Sequence, residues 1–212
     1  MKEKVLTTTR RSLHAVAEQL LAGPQYRAKG TIRLRVTHAG FAQVSGPWRV
    51  EGTQLVSEDK SVPLDGTIED IARAAGIHAG VPEIYTDHAD LAPDLPLELD
   101  PTMAAELVAW FVRGDEGLRA FAPEDVPVLW PEHFDLGIAL DEVNYGISLG
   151  DAAHETPYAY VGPWAQRQGS FWNVSFGSLR AAAELPDAAA VTAYFAEGRA
   201  AAAAAAAPPV GA

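Results

Sequence analysis

Cysteine is absent from this chain of 212 residues. Its absence excludes disulfide frameworks, thiolate nucleophiles and Cys-ligated metals. Positive charge is scarce as well: 16 basic residues stand against 28 acidic ones, a formal net charge of −12. A surface that displaces counterions from phosphate needs the opposite balance, so nucleic acid and anionic membrane surfaces are excluded as broad partners. No apolar run approaches the ~20 residues that span a bilayer. Met1 to Arg11 carries charge with no apolar stretch behind it, the wrong pattern for a secretory signal, and the residues after Arg10-Arg11 are amphipathic, unlike a twin-arginine signal. Neither standard Gly-rich phosphate loop occurs, and no cofactor is expected. Internal repeats are missing too. These absences point to a cytoplasmic protein.

The remaining composition is that of a globular protein, 48% hydrophobic and 21% charged, and the chain is long enough for a sizeable core. Abundant Ala, Gly, Asp and Pro with few Lys match a high-GC bacterial genome. Leu13, Val16, Leu20 and Leu21 recur at helical spacing and predict a helix over residues 7–22, stopped by Gly23-Pro24. His14, at the edge of that apolar face, reads as a partly exposed helix residue. Ile32, Leu34 and Val36 alternate with Arg33 and Arg35, and further short apolar stretches to residue 64 predict an antiparallel meander. Thr67-Ile-Glu-Asp70 opens a helix that Gly76 closes. Residues 77–99 are broken by Gly and Pro and read as an irregular excursion, with His88 beside Asp87 and Asp90 as loop residues.

Asp100-Pro101 starts a helix running to about residue 113, with another turn or two after Gly114. Strands are expected again at 126–130, 134–140, 143–149, 157–161 and 171–176. Asp187 caps a last helix. The expectation is an α+β fold of antiparallel β-meanders packed with about four helices. Residues 1–198 form one globular domain (halves 1–100 and 101–198), and 199–212 form an Ala/Pro-rich tail that extends the last helix for some turns.

Chemistry-bearing residues concentrate in 128–176. Leu129-Trp-Pro-Glu-His-Phe-Asp135, Gly146-Ile-Ser-Leu-Gly-Asp151, Pro157-Tyr-Ala-Tyr160 with Pro163-Trp164, and Trp172 stand in sequence. The block resembles an uncharacterised bacterial domain family that carries Leu-Trp-Pro-x-His-Phe-Asp, Gly-x-Ser-x-Gly-Asp and Pro-Tyr-x-Tyr motifs. The resemblance marks about 50 residues as a unit and implies no particular activity. On a strand, His133 and Asp135 would share a face, and a carboxylate beside a His is the minimum for general base catalysis. Asp151 would be the second carboxylate. A mixed site of His133, Asp135, Asp151 and His154 is the weaker, metal-binding alternative. Ser148 matches a nucleophile elbow in spacing only, since no helix comes after it.

The expected catalytic residues are therefore His133, Asp135 and Asp151. The expected ligand-binding residues are Trp130, Glu132, Tyr145, Ser148, Tyr158, Tyr160, Trp164 and Trp172, because aromatics with polar handles line small-molecule pockets. The opposing reading makes the aromatics core residues, the aspartates turn caps and His133 a hydrogen-bonded core residue. The sequence thus suggests a small-molecule pocket, with hydrolysis or isomerisation as the reaction. The alternative is a non-catalytic interaction module, with a second copy of the chain among its partners.

Overall fold

The computed structural model describes residues 2–84 and 88–206. The chain divides into two compact units, one running to Val112 and including Val128–Asp135, the other comprising Arg113–Pro127 and the residues from Leu136 onward.

The first unit is organised on one helical rod: α1 (Lys2–Val16), a π-helical stretch (Ala17–Ala22) and α2 (Gly23–Lys29). The stop expected at Gly23-Pro24 does not occur. A proline inside an α-helix clashes with the carbonyl one turn back and removes a donor. Here the preceding turn is widened, with the Gly23 N–H donating to Glu18 O, and the pyrrolidine is taken up at the start of α2. The rod ends at Gly30, which adopts φ +72° and donates to Tyr26 O at 2.8 Å. Leu13, Val16, Leu20 and Leu21 are buried, as their spacing implies.

The meander comes next as β1 (Leu34–Thr37), β2 (Gly40–Gln43), β3 (Arg49–Glu51), β4 (Gln54–Val56) and β5 (Ser61–Pro63). With β6 (Val128–Trp130) beside β1, the strand order is β6-β1-β2-β3-β4-β5, and the Leu34–Leu129 pair joins β1 to β6 antiparallel. Leu34, Phe41, Val50, Leu55 and Leu129 form its buried side. In α3 (Ile68–Ala75), the Thr67 hydroxyl accepts from the Asp70 N–H at 3.1 Å and donates to the Asp70 carboxylate at 2.8 Å.

Residues 77–99 contain no regular element among those described. Polar groups on the rod hold this excursion in place. Glu18 Oε2 accepts from Ala89 N (2.8 Å), Gln19 Nε2 donates to Leu91 O (3.1 Å), and Ser12 Oγ accepts from Glu98 N (2.9 Å). Thr9 Oγ1 accepts from Asp100 N at 3.2 Å. The buried rod residues Thr9, Ser12, Glu18 and Gln19 thus satisfy loop backbone that has no ladder of its own. Asp87, named with His88 as a loop acid, lies outside the described residues.

The second unit holds β7 (Asp135–Leu140) from its second residue on, β8 (Val143–Ser148), β9 (Tyr158–Pro163) and β10 (Ser178–Ala181), in the order β10-β9-β8-β7. Asp141 and Glu142 both have positive φ, the geometry of the two-residue hairpin turn between β7 and β8. Tyr145, Ile147, Ala159 and Val161 are fully buried. The helix α4 (Pro101–Phe121) begins on its Asp100 cap, which accepts from Met103 N at 2.8 Å, and runs straight through the break expected at Gly114. Packing overrides propensity there: a Cβ on Gly114 would lie 2.3 Å from the Ile147 side chain, and one on Gly117 would lie 2.6 Å from Val191.

The last helix, α5 (Ala188–Ala206), starts where Asp187 Oδ1 accepts from Ala190 N at 2.8 Å. It takes in the first part of the alanine run, where Ala202 is buried, and residues 207–212 lie outside the described residues. The fold class is α+β: among the described residues, five α-helices, the first two continuous in the rod, accompany ten antiparallel strands. No helix among the described residues is long and apolar enough to cross a membrane.

Candidate functional site

Residues 131–134 form a turn between β6 and β7, so His133 is not on a strand and does not share a strand face with Asp135. The turn is organised by the residue between them. Phe134 adopts φ +50°, a strained conformation for a bulky side chain, and ring contacts hold it there. His14 stacks on it at 5.2 Å, and Phe41 and Phe111 meet it edge-on at 5.4 and 5.3 Å. His14 Nε2 lies 2.7 Å from Pro131 O, and because a carbonyl only accepts, this nitrogen carries the proton.

The same nitrogen is 3.6 Å from the buried Glu18 carboxylate. His14 is thus the half-buried clamp of the turn, and His133 is exposed at its tip. Glu132 and Asp135 are half-buried. Trp130 is also half-buried, packed like Tyr26 against Ala22 and Ile32, with the Arg33 guanidinium 5.6 Å above its ring.

In the second unit the expected residues separate by face. Tyr145 is core: its ring lies 4.8 Å from Phe121 and 6.0 Å from Phe195, and burial pushes its hydroxyl up to about 12, Arg199 opposing and Asp141 assisting. Tyr160 pairs across the ladder with Gly146. A Cβ on Gly146 would lie 2.5 Å from the Tyr160 ring and hydroxyl, so this glycine of the Gly-x-Ser-x-Gly motif makes room for a ring within a strand and does not shape a turn. Ser148 is buried at the end of β8 and accepts from Gly150 N at 3.0 Å, with no helix after it. Trp164 is 67% exposed, its indole N–H donating to Asn144 Oδ1 at 3.1 Å.

Asp151 and Tyr158 are brought together. Asp151 Oδ2 accepts from the Tyr158 hydroxyl at 2.7 Å, and Oδ1 accepts from Ala153 N at 2.7 Å and His154 N at 2.8 Å. Burial works against the charge, but these donors and the His154 imidazole outweigh it and hold the carboxyl below the usual carboxylate range. This is the arrangement of a turn cap. Among the described residues, no group of three or more His, Asp or Glu is placed to hold a metal ion.

The strand expected at 171–176 is absent. Val174 and Gly177 exchange backbone hydrogen bonds (3.1 Å each way), and the hairpin goes no further. The Asn173 carboxamide then takes both peptide groups of Leu179: Oδ1 accepts its N–H at 2.8 Å and Nδ2 donates to its C=O at 2.9 Å. A side chain stands where the next residue of a strand would pair.

Beside this interruption lies a recess of 330 Å³ lined by Ser170, Phe171, Asn173, Arg180, Glu184 and Glu197, together with Ser178 and Leu179. Arg180 is 4.5 Å above the Tyr194 ring and donates to Glu197 at 3.1 Å. Tyr194 is buried and donates to Ser178 Oγ at 3.0 Å, and burial pushes its hydroxyl up to about 12 against the effect of that bond and of Arg180. No family model, curated protein or solved structure matches the chain.

Of the expected residues, only Trp172 borders this recess in sequence, its ring edge-on to Phe171 at 5.0 Å. The expected site residues leave out Phe171, Asn173, Arg180, Glu184 and Glu197, although Phe171 and Asn173 lie within the block 128–176 singled out in the sequence. The one local signal was the Gly177 turn: this residue has φ +143°, and a Cβ there would meet Val161 O at 2.1 Å.

Proposed function

We propose that the chain is a binding protein for a small polar ligand that carries a cationic group. The recess of 330 Å³ in the second unit carries the reading. Its size suits a compact ligand, Phe171 offers a ring face, and the hydroxyl, carboxamide, guanidinium and carboxylate groups around it converge as specific ligand sites require. Two carboxylates, Glu184 and Glu197, stand against the single guanidinium of Arg180, which favours positive charge in the ligand. The overall charge of −12 points the same way and away from nucleic acid.

Binding is favoured over hydrolysis or isomerisation because Asp151, the second expected carboxylate, is committed to two backbone donors of its own turn and to the Tyr158 hydroxyl. Kinship with the bacterial domain family and a cytoplasmic setting belong to the same proposal, the first supported by the four motifs alone. Exposed Trp164 and Phe176 support a second reading, a contact surface for another protein.

The test is isothermal titration of the whole protein with a panel of small amines, guanidines, amino acids and carboxylic acids. Amines or amino acids should bind, and Glu197→Gln and Phe171→Ala should each weaken them. Binding of carboxylic acids alone, or binding indifferent to both substitutions, would remove the recess as the site.

A further inference from the structure

β10 is the terminal strand of the order in the second unit, so one of its edges faces no other strand among the described residues. Leu179 pairs opposite Tyr160 of β9, yet both its peptide groups bond to Asn173, so they point away from β9. Two residues on, where the alternation of an antiparallel ladder returns to the same direction, the Ala181 N–H donates to Glu184 Oε1 at 3.3 Å. The outward donors of this edge are thus met by exposed side chains, and the recess runs beside them.

Such groups are a template for a further strand, and covering them is one way that proteins suppress unwanted pairing. The cover here has a specific chemistry: a carboxamide offers the same donor and acceptor as a peptide group, in the position of an incoming residue. It is also exposed, so water or a competing amide can replace it at little net loss of hydrogen bonding.

We propose that β10 receives an extended peptide segment of a partner protein, added as an antiparallel or parallel strand, with a Lys or Arg of that segment directed to the recess. The incoming backbone takes the Leu179 and Ala181 groups in place of Asn173 and Glu184. Displaced from Ala181, the Glu184 carboxylate is freed for the basic side chain, and Arg180 stays with Glu197 and Tyr194. Charge complementarity selects this occupant over a second copy of the chain, which is itself acidic. The inference rests on the binding reading above and names its ligand class.

The experiment uses fluorescence anisotropy with labelled, terminally blocked pentapeptides of β-branched residues around a central Lys, Glu or Thr, and with the Lys peptide N-methylated on its backbone. The Lys peptide should bind best and the N-methylated one should fail. Asn173→Ala should tighten binding several-fold by opening the edge. Leu179→Pro should abolish it, because the proline removes an outward N–H and spares the ladder to β9; circular dichroism and a cooperative thermal melt confirm that this variant is folded.

Peptide binding that survives Leu179→Pro, or no binding by either the native chain or Asn173→Ala, overturns the proposal. If small amines still titrate in that case, the recess reading stands alone; if they do not, both fall. Concentration-dependent dimerisation of Asn173→Ala without peptide binding also overturns it, and makes Asn173 a guard against self-pairing.

Discussion

Replacing Tyr145 with Phe should stabilise the protein. Tyr145 is fully buried in the second unit, its ring is held by Phe121 and Phe195, and its hydroxyl has no hydrogen-bond partner among the described residues. A buried hydroxyl without a partner carries a desolvation cost of about 1–3 kcal/mol, which Phe does not incur. The ring contacts are the same for Phe, so the transfer and packing contributions cancel to first order. The expected gain is about 1 kcal/mol, worth roughly 2–4 °C in Tm for a chain of this size.

Urea unfolding followed by far-UV circular dichroism measures it, with an unchanged m-value required for the comparison to hold. Tyr145→Leu serves as the control: it removes the ring contacts as well as the hydroxyl, and should cost about 1–3 kcal/mol. A loss of about 1 kcal/mol or more in Tyr145→Phe would refute the reasoning, since it would mean that the hydroxyl is bonded in solution, to a buried water or to a group brought in by motion of α5.

Three further outcomes are expected in the same unit. Gly146→Ala should destabilise by about 1–3 kcal/mol, because its Cβ meets both Tyr160 and the Leu136 carbonyl, and Tyr160→Ala should restore only part of the loss; full restoration in a thermal melt would show that the backbone contact is immaterial. Asp151 has a folded pKa below its unfolded value, so its contribution is present above about pH 4 and lost as pH falls through the folded value. Asp151→Asn should therefore flatten the acid limb of stability against pH and, because the group is exposed, cost only about 1 kcal/mol or less at pH 7. Tyr145 and Tyr194 should resist ionisation until about 12, which lowers stability as pH rises from about 10 through that value; ultraviolet titration showing all 6 tyrosines ionising together near 10 in folded protein would contradict their burial.

Much of the framework was legible because its signals are local. The Thr67, Asp100 and Asp187 caps, the αL glycine at 76 and the Asp141-Glu142 turn each depend on residues a few positions apart, and the apolar period that separates helix from strand does too. These suffice for an α+β chain with antiparallel meanders. Where local signals misled, the backbone adjusted or a distant neighbour decided. Gly23-Pro24 and Gly114 read as helix breakers, yet a widened turn absorbs the proline, and Ile147 fills the space that a side chain on Gly114 would need.

The candidate site was less legible for the same reason. His133 carries the chemistry on paper, but His14 does the holding, through a bond to a carbonyl 117 residues away. Phe171–Phe176 has the composition of a strand, yet it is the Asn173 carboxamide, and not a neighbouring backbone, that takes both peptide groups of Leu179. Composition and spacing determine which segments are helical, extended or turned, because those preferences act over a few bonds. Only the tertiary structure decides which polar side chain meets which peptide group, because that depends on chain segments whose separation in sequence carries no information about their distance in space.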